Sequence, residues 1–117
     1  MTNRADIPLF SYGSLRQPEV QRAAFGRLLE GHEDALPGYA LGTILIDEPE
    51  VAEVSGASVH SIARPTGHRA DLIPGVVFLL TGEELAAADA YETDAYARVE
   101  ATLASGQRAF VYVAAES

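Results

Sequence analysis

Two short stretches hold residue types that can do chemistry together. The first is "PLFSYGSLRQPEV", Pro8–Val20, where an apolar run breaks at Tyr12-Gly13-Ser14 before a proline-marked helical pattern begins. Glycine lets a backbone approach a ligand closely, and successive N–H groups in a turn can converge on one anion. The helix expected from Pro18 adds a favourable dipole if its N-terminus lies close. Tyr12 and Ser14 supply hydroxyls, although an ordinary strand-ending turn has the same composition. The second stretch is "DAYETDAYAR", Asp89–Arg98. Glu92 follows an apolar helical face and precedes a strand, so its side chain is placed to turn inward. A partly desolvated carboxylate at a helix C-terminus has a raised pKa, which suits a general acid or base. The competing reading of Glu92 is an exposed acid in an acidic chain.

Other constellations are weaker. His32, His60 and His68 are scattered, with no metal-ligand spacing, and no metal site is expected. Ser14 lacks the Gly-x-Ser-x-Gly elbow of serine hydrolases. The acidic run "IDEPEVAEV", from Ile46 to Val54, does not have the spacing of a calcium loop and reads as a solvated acidic segment. With no cysteine in the chain, thiol catalysis and disulfides are excluded.

Which elements position these stretches follows from periodicity. Ile7–Tyr12 reads as a buried strand. Pro18 fits the first turn of a helix, with Val20, Ala24, Leu28, Phe25 and Leu29 as its apolar stripe and Gly31 as its stop. Tyr39–Ile46 is a second strand, and one further strand is expected around Val59–Ile62. "PGVVFLL", Pro74–Leu80, has the continuous apolar character of a strand buried on both faces. Thr81 and Glu84 form a capping-box pattern that starts a helix running from about Gly82 toward Tyr91. Tyr96–Leu103 and Arg108–Val113 form a closing hairpin around "ASGQ". Strands before, between and after two helices make an α+β domain rather than a repeated βαβ array. The expected core contains Phe10, Phe25, Leu28, Val77, Leu79, Leu85, Val99 and Val111.

Composition sets the outer limits. The 117 residues suit a single domain, residues 1–117, with 48% apolar and 21% charged residues. A net charge of −9 leaves no basic stripe for nucleic acid and argues against anionic membranes. The longest apolar runs are far short of a membrane span, and "MTNRAD" lacks an apolar signal core. A cytoplasmic enzyme or binding domain is the default expectation.

Taken together, "LFSYGSL", then "GVVFLL" leading into a helix that ends "ADAYETDAYAR", then "AFVYV", resemble the γ-glutamylcyclotransferase-like (AIG2-like) family. The resemblance spans nearly the whole chain, in order. It implies a small mixed sheet curled toward a barrel, with helices packed around it and a pocket at one mouth. It also implies that Tyr12, Gly13, Ser14 and Leu15 form the substrate loop and that Glu92 is the catalytic acid/base. Tyr96 and Arg98 would line the same mouth, unless Arg98 only pairs with a surface acid. The reaction implied is attack of a substrate α-amine on its own γ-glutamyl carbonyl, giving 5-oxoproline and releasing an amine or amino acid. No metal or organic cofactor is required. A catalytically silent relative that binds a small anion or a partner protein through the same pocket is the alternative. Thr93 stands where many members carry glycine, Gln17-Pro18-Glu19 departs from the usual continuation of the loop, and Asp47–Arg69 matches no known substrate-choosing segment.

Overall fold

Why strands form here is visible in the alternation along them. Leu9 and Phe10 are both buried but face opposite ways, as do Val77 and Phe78, and Val111 and Tyr112. In a computed structural model of the chain, residues 5–47, 57–92 and 95–115 are described, residues 14, 44–47 and 57–60 by their backbone alone. Most of the acidic run to Val54, the imidazole of His60, the Ser14 hydroxyl, Thr93 and Asp94 lie outside the described residues. Among the described residues no helix is long and apolar enough to cross a membrane.

The elements are β1 (Ile7–Ser11), α1 (Pro18–Phe25), β2 (Gly31–Pro37), β3 (Tyr39–Asp47), β4 (Ala57–Pro65), β5 (Leu72–Leu80), α2 (Gly82–Tyr91), β6 (Tyr96–Thr102) and β7 (Arg108–Ala114). A 3-10 turn, Ser14–Arg16, lies between β1 and α1. Five strands form one mixed sheet in the order β2-β5-β1-β7-β6, and β3 pairs with β4 in a separate hairpin. β1 is antiparallel to β5 and parallel to β7, with Leu9 opposite Phe110 and Phe10 opposite Val111. One sheet face packs Leu9, Phe78, Leu80 and Tyr112 against Leu15 and Ala88, with Val20, Phe25 and Leu85 from the helices beside them. The other face packs Phe10, Leu36, Ile73, Val77 and Val111 against Ala63 of β4 and Tyr39 of β3. Both faces are therefore covered, which is why β5 reads as nearly unbroken apolar sequence.

The second helix starts as its sequence dictates. The Glu84 N–H donates to Thr81 Oγ1 at 3.1 Å, and the Thr81 N–H donates to Glu84 Oε1 at 2.9 Å. The Glu84 carboxylate also takes a two-pronged bond from Arg27, at 2.7 and 2.8 Å, which ties the chain beyond α1 to the head of α2. That guanidinium, more than any other group, holds the Glu84 carboxyl below its ordinary range.

Several expectations are corrected. α1 ends at Phe25, not near Gly31, because Gly26 takes the left-handed conformation at φ 75° and closes the helix. Leu28 is thereby off the helical stripe and 47% exposed. Gly31 instead opens β2, a strand the polar sequence "GHEDALP" does not advertise. A Cβ at Gly31 would sit 2.5 Å from the Val77 carbonyl oxygen and 2.7 Å from the Phe78 ring, so the close approach of β2 to β5 requires glycine. Leu79 lies opposite Pro8 on the Val77 face of β5, beyond the core cluster of that face, and is 40% exposed, whereas Leu80 on the other face is fully buried. The strand expected around Val59–Ile62 is longer, extending over Ala57–Pro65. Phe25, Leu85 and Val99 are partly buried and pack at the margins of the two core clusters.

Candidate functional site

The loop that follows β1 is fixed from three sides. The Tyr12 hydroxyl donates to the Tyr112 carbonyl at 2.6 Å and accepts from the Ala63 N–H at 2.9 Å. Burial drives its pKa well above the ordinary tyrosine value, against the opposing effect of the Ala63 N–H. Tyr12 thus acts as a strut joining β7 to β4 beneath the loop. Next, the Arg16 N–H donates to the Gly13 carbonyl at 3.1 Å, and the Leu15 side chain is 4% exposed in the helix-side core. Finally, Gln21 of α1 is itself buried, and its Nε2 donates to the Leu15 carbonyl at 2.9 Å. The carbonyls of Gly13 and Leu15 are taken. Among the described residues, no acceptor meets the N–H groups of Gly13 or Leu15.

Glu92 sits where α2 stops. Its N–H still donates to the Ala88 carbonyl at 3.1 Å, but its own backbone is extended, at φ −76° and ψ 145°. Burial pushes its carboxyl up to about 7. Among the described residues it has no hydrogen-bond or ion-pair partner that would pull the value back. The charge on Glu92 is felt by three tyrosines, and it helps raise the hydroxyl pKa of Tyr12, Tyr96 and Tyr112. Two stretches eighty residues apart in sequence, as Tyr12 and Glu92 are, are therefore within electrostatic reach of one another in the fold.

Tyr96 is brought to the same place. Its hydroxyl donates to the Ser61 carbonyl at 2.7 Å, and its pKa is pushed up to about 12, by burial first and then by Glu92. Arg98 has a different setting. It pairs with Asp89 at 3.5 Å and lies over the Phe110 ring at 4.9 Å from the centroid, so it is engaged with an acid of α2. Asp89 also accepts from the Tyr112 hydroxyl at 2.7 Å.

Three residues of this neighbourhood escape a reading by motif: Gln21, Asp89 and Tyr112. Each nonetheless has a signal in the sequence. Gln21 falls on the helical row of Ala24 and Phe25, an apolar face where a polar side chain needs a partner. Asp89 stands three residues before Glu92, hence on the same side of the helix. Tyr112 alternates with Val111 and Val113 in a strand whose odd positions face the opposite core. Among the described residues no group of three or more potential metal ligands occurs.

A mixed five-stranded sheet has two helices on one face, with a cross-braced loop after its first strand and a half-buried acid at the end of its second helix, an α+β arrangement. A similar overall fold is found in two Arabidopsis thaliana proteins known from solution structures. They give TM-scores of 0.69 and 0.64 at 21% and 18% identity, covering 94% and 97% of this chain and 69% and 66% of theirs. A Pyrococcus horikoshii protein known from a crystal structure gives a TM-score of 0.60 at 18% identity, covering 96% of this chain and 80% of its own. This chain thus spans about two thirds of the length of the plant proteins. No curated protein matches it in sequence. Residues 9–117 match the family model of gamma-glutamyl cyclotransferase, AIG2-like proteins, and the chain belongs to that family.

Proposed function

We propose that the protein is a γ-glutamyl cyclotransferase in which Glu92 is the general acid/base and the Tyr12–Leu15 loop holds the substrate. The observation that carries this reading is the half-buried carboxyl at the end of α2, pushed up to about 7 by that burial and within electrostatic reach of the loop tyrosine. An ordinary carboxylate near 4.5 is too weak a base to take a proton from an amine that titrates near ~8. Raising it toward neutrality narrows that gap.

The substrate is a compound whose glutamyl side-chain carbonyl is in amide linkage to an amine or amino acid. Its α-amine attacks its own δ-carbon, so nucleophile and electrophile arrive already joined, and orientation supplies much of the rate. Glu92 takes the proton released as the C–N bond forms. The N–H groups of Gly13 and Leu15 hold either the α-carboxylate or the oxygen of the tetrahedral intermediate. The amide C–N bond then breaks, Glu92 returns the proton to the departing nitrogen, and 5-oxoproline and a free amine leave. Atoms and protons balance without water. Tyr96 and Tyr12 shape the wall on which Glu92 faces the substrate, whereas Arg98 pairs with the partly exposed Asp89 and takes no part in the reaction.

The test is an assay for 5-oxoproline across γ-glutamyl peptides, glutathione and γ-glutamylamines, comparing wild type with Glu92→Gln. The expected outcome is turnover of at least one compound, reduced roughly a hundredfold or more in kcat by the substitution, with the fold retained. Below about pH 7 the wild-type rate should fall as Glu92 becomes protonated. Equal rates in the two proteins would remove Glu92 from the mechanism. Binding of 5-oxoproline without any turnover would leave a silent binding protein.

A further inference from the structure

Among the described residues Gln21 is one of two buried polar ones, at 4% exposure, and neither end of its carboxamide is idle. Nε2 donates to the Leu15 carbonyl at 2.9 Å, and Oε1 accepts from the Leu29 N–H at 2.9 Å. One side chain of α1 therefore bridges the loop that enters the helix and the segment that leaves it. A carboxamide is the simplest group that can do this, since it must donate at one end and accept at the other. Burying it without both partners would cost more than burying an apolar side chain of equal size. From this geometry we infer that Gln21 is a positioning residue for the loop. By occupying the Leu15 carbonyl, it fixes the turn that leaves the N–H groups of Gly13 and Leu15 without an acceptor among the described residues. The role in substrate binding rests on the reading of the loop given above, whereas the role in loop geometry does not.

The chemistry of the bridge supplies a specific test. A neutral carboxylic acid has the same donor–acceptor pair as a carboxamide, but a carboxylate only accepts. In Gln21→Glu, a protonated side chain can remake both bonds, while an ionised one turns an oxygen toward the Leu15 carbonyl. Burial raises a glutamate well above its ordinary value, so the variant switches between these states in an accessible range. Gln21→Met keeps the volume and removes both bonds at every pH.

The experiment follows the amide resonances of Gly13 and Leu15 by NMR in wild type, Gln21→Glu and Gln21→Met, at about pH 5.5 and about pH 8.5. The amides of Phe10, Val77 and Val111 report whether the fold is intact. The expected result is displaced or broadened loop resonances in Gln21→Met at both pH values. In Gln21→Glu, wild-type positions should return at the lower pH only. Titration with 5-oxoproline should show binding about tenfold weaker wherever the loop is displaced. In turnover, KM should rise by a similar factor while kcat changes less. Loop resonances in Gln21→Met that match wild type would overturn the inference, as would Gln21→Glu resonances equally far from those of wild type at the same pH under both conditions. If wild type neither binds nor forms 5-oxoproline, the cyclotransferase reading fails, and the loop resonances still decide what Gln21 does.

Discussion

At the scale of single residues, Glu92 carries opposite consequences for activity and for stability. The fold favours its neutral form, moving the carboxyl from an ordinary 4.5 to about 7. A raised carboxyl contributes stability that is fully present below its unfolded value and is lost as pH rises through its folded value. Wild type should therefore lose stability between about pH 4.5 and about pH 7, a loss that Glu92→Gln escapes. The expected outcome in thermal melts is near-parity of the two proteins at about pH 5 and a variant more stable by on the order of 2 kcal/mol at about pH 8, allowing for partial exposure of the carboxyl. A difference that does not change with pH would show that Glu92 titrates like an exposed acid. Glu92 and Tyr12 are legible in the sequence because each belongs to a local pattern, a helix end and a strand end. Gln21 is legible only as a polar side chain on an apolar helical face; which partners it takes depends on where the chain returns at Leu29, and no local pattern encodes that bond.

At the scale of elements, α2 is the support on which Glu92 rides, and its two ends are held by different means. The N-terminal end has the Thr81–Glu84 box and the Arg27 clasp. The C-terminal turn has the bonds of Asp89 to Tyr112 and Arg98. Removing the cap hydroxyl in Thr81→Ala should cost about 1 kcal/mol, or roughly 3–6 °C in melting temperature. Since Asp89 is independent of the cap, turnover per folded molecule should stay within about twofold of wild type. A loss of kcat as large as that in Glu92→Gln would mean that the first turn of α2 sets the aim of the acid. The helix was readable because capping boxes are written in consecutive residues. β2 was not, because an edge strand with outward polar residues has no apolar period, and only Gly31 and Leu36 betray its contact with β5. The end of α1 is hidden from the sequence for a related reason. The stripe of apolar residues continues past Gly26, but the backbone turns left-handed there, and Leu28 never reaches the core.

At the scale of the molecule, the two edges of the five-stranded sheet touch at one end. The Ala104 N–H, in the turn between β6 and β7, donates to the Ala35 carbonyl of β2 at 2.9 Å. Beside it the Asp34 carboxylate accepts from the Ser105 N–H at 3.2 Å and from the Ser105 hydroxyl, and His32 Nε2 lies 2.9 Å from Gln107 Oε1. Burial works to raise the Asp34 carboxyl, but the Ser105 hydroxyl and the N–H groups of Ala35 and Ser105 outweigh it and hold the value below the ordinary range. A depressed carboxyl contributes stability above its unfolded value and loses it as pH falls through the folded one, so this latch should persist through mildly acidic conditions. Asp34→Ala removes the acceptors and should cost about 1 kcal/mol. Hydrogen exchange is the discriminating measurement. The amides of Ala104 and Ser105 should exchange faster in Asp34→Ala, those of Phe10 and Val77 should be unchanged at the sheet centre, and Asp34→Asn should lie between, because one acceptor oxygen survives. Uniform acceleration across the sheet would instead make the latch part of the global unfolding unit, and β2 would then open only together with β1, which leads into Tyr12, and β7, which carries Tyr112.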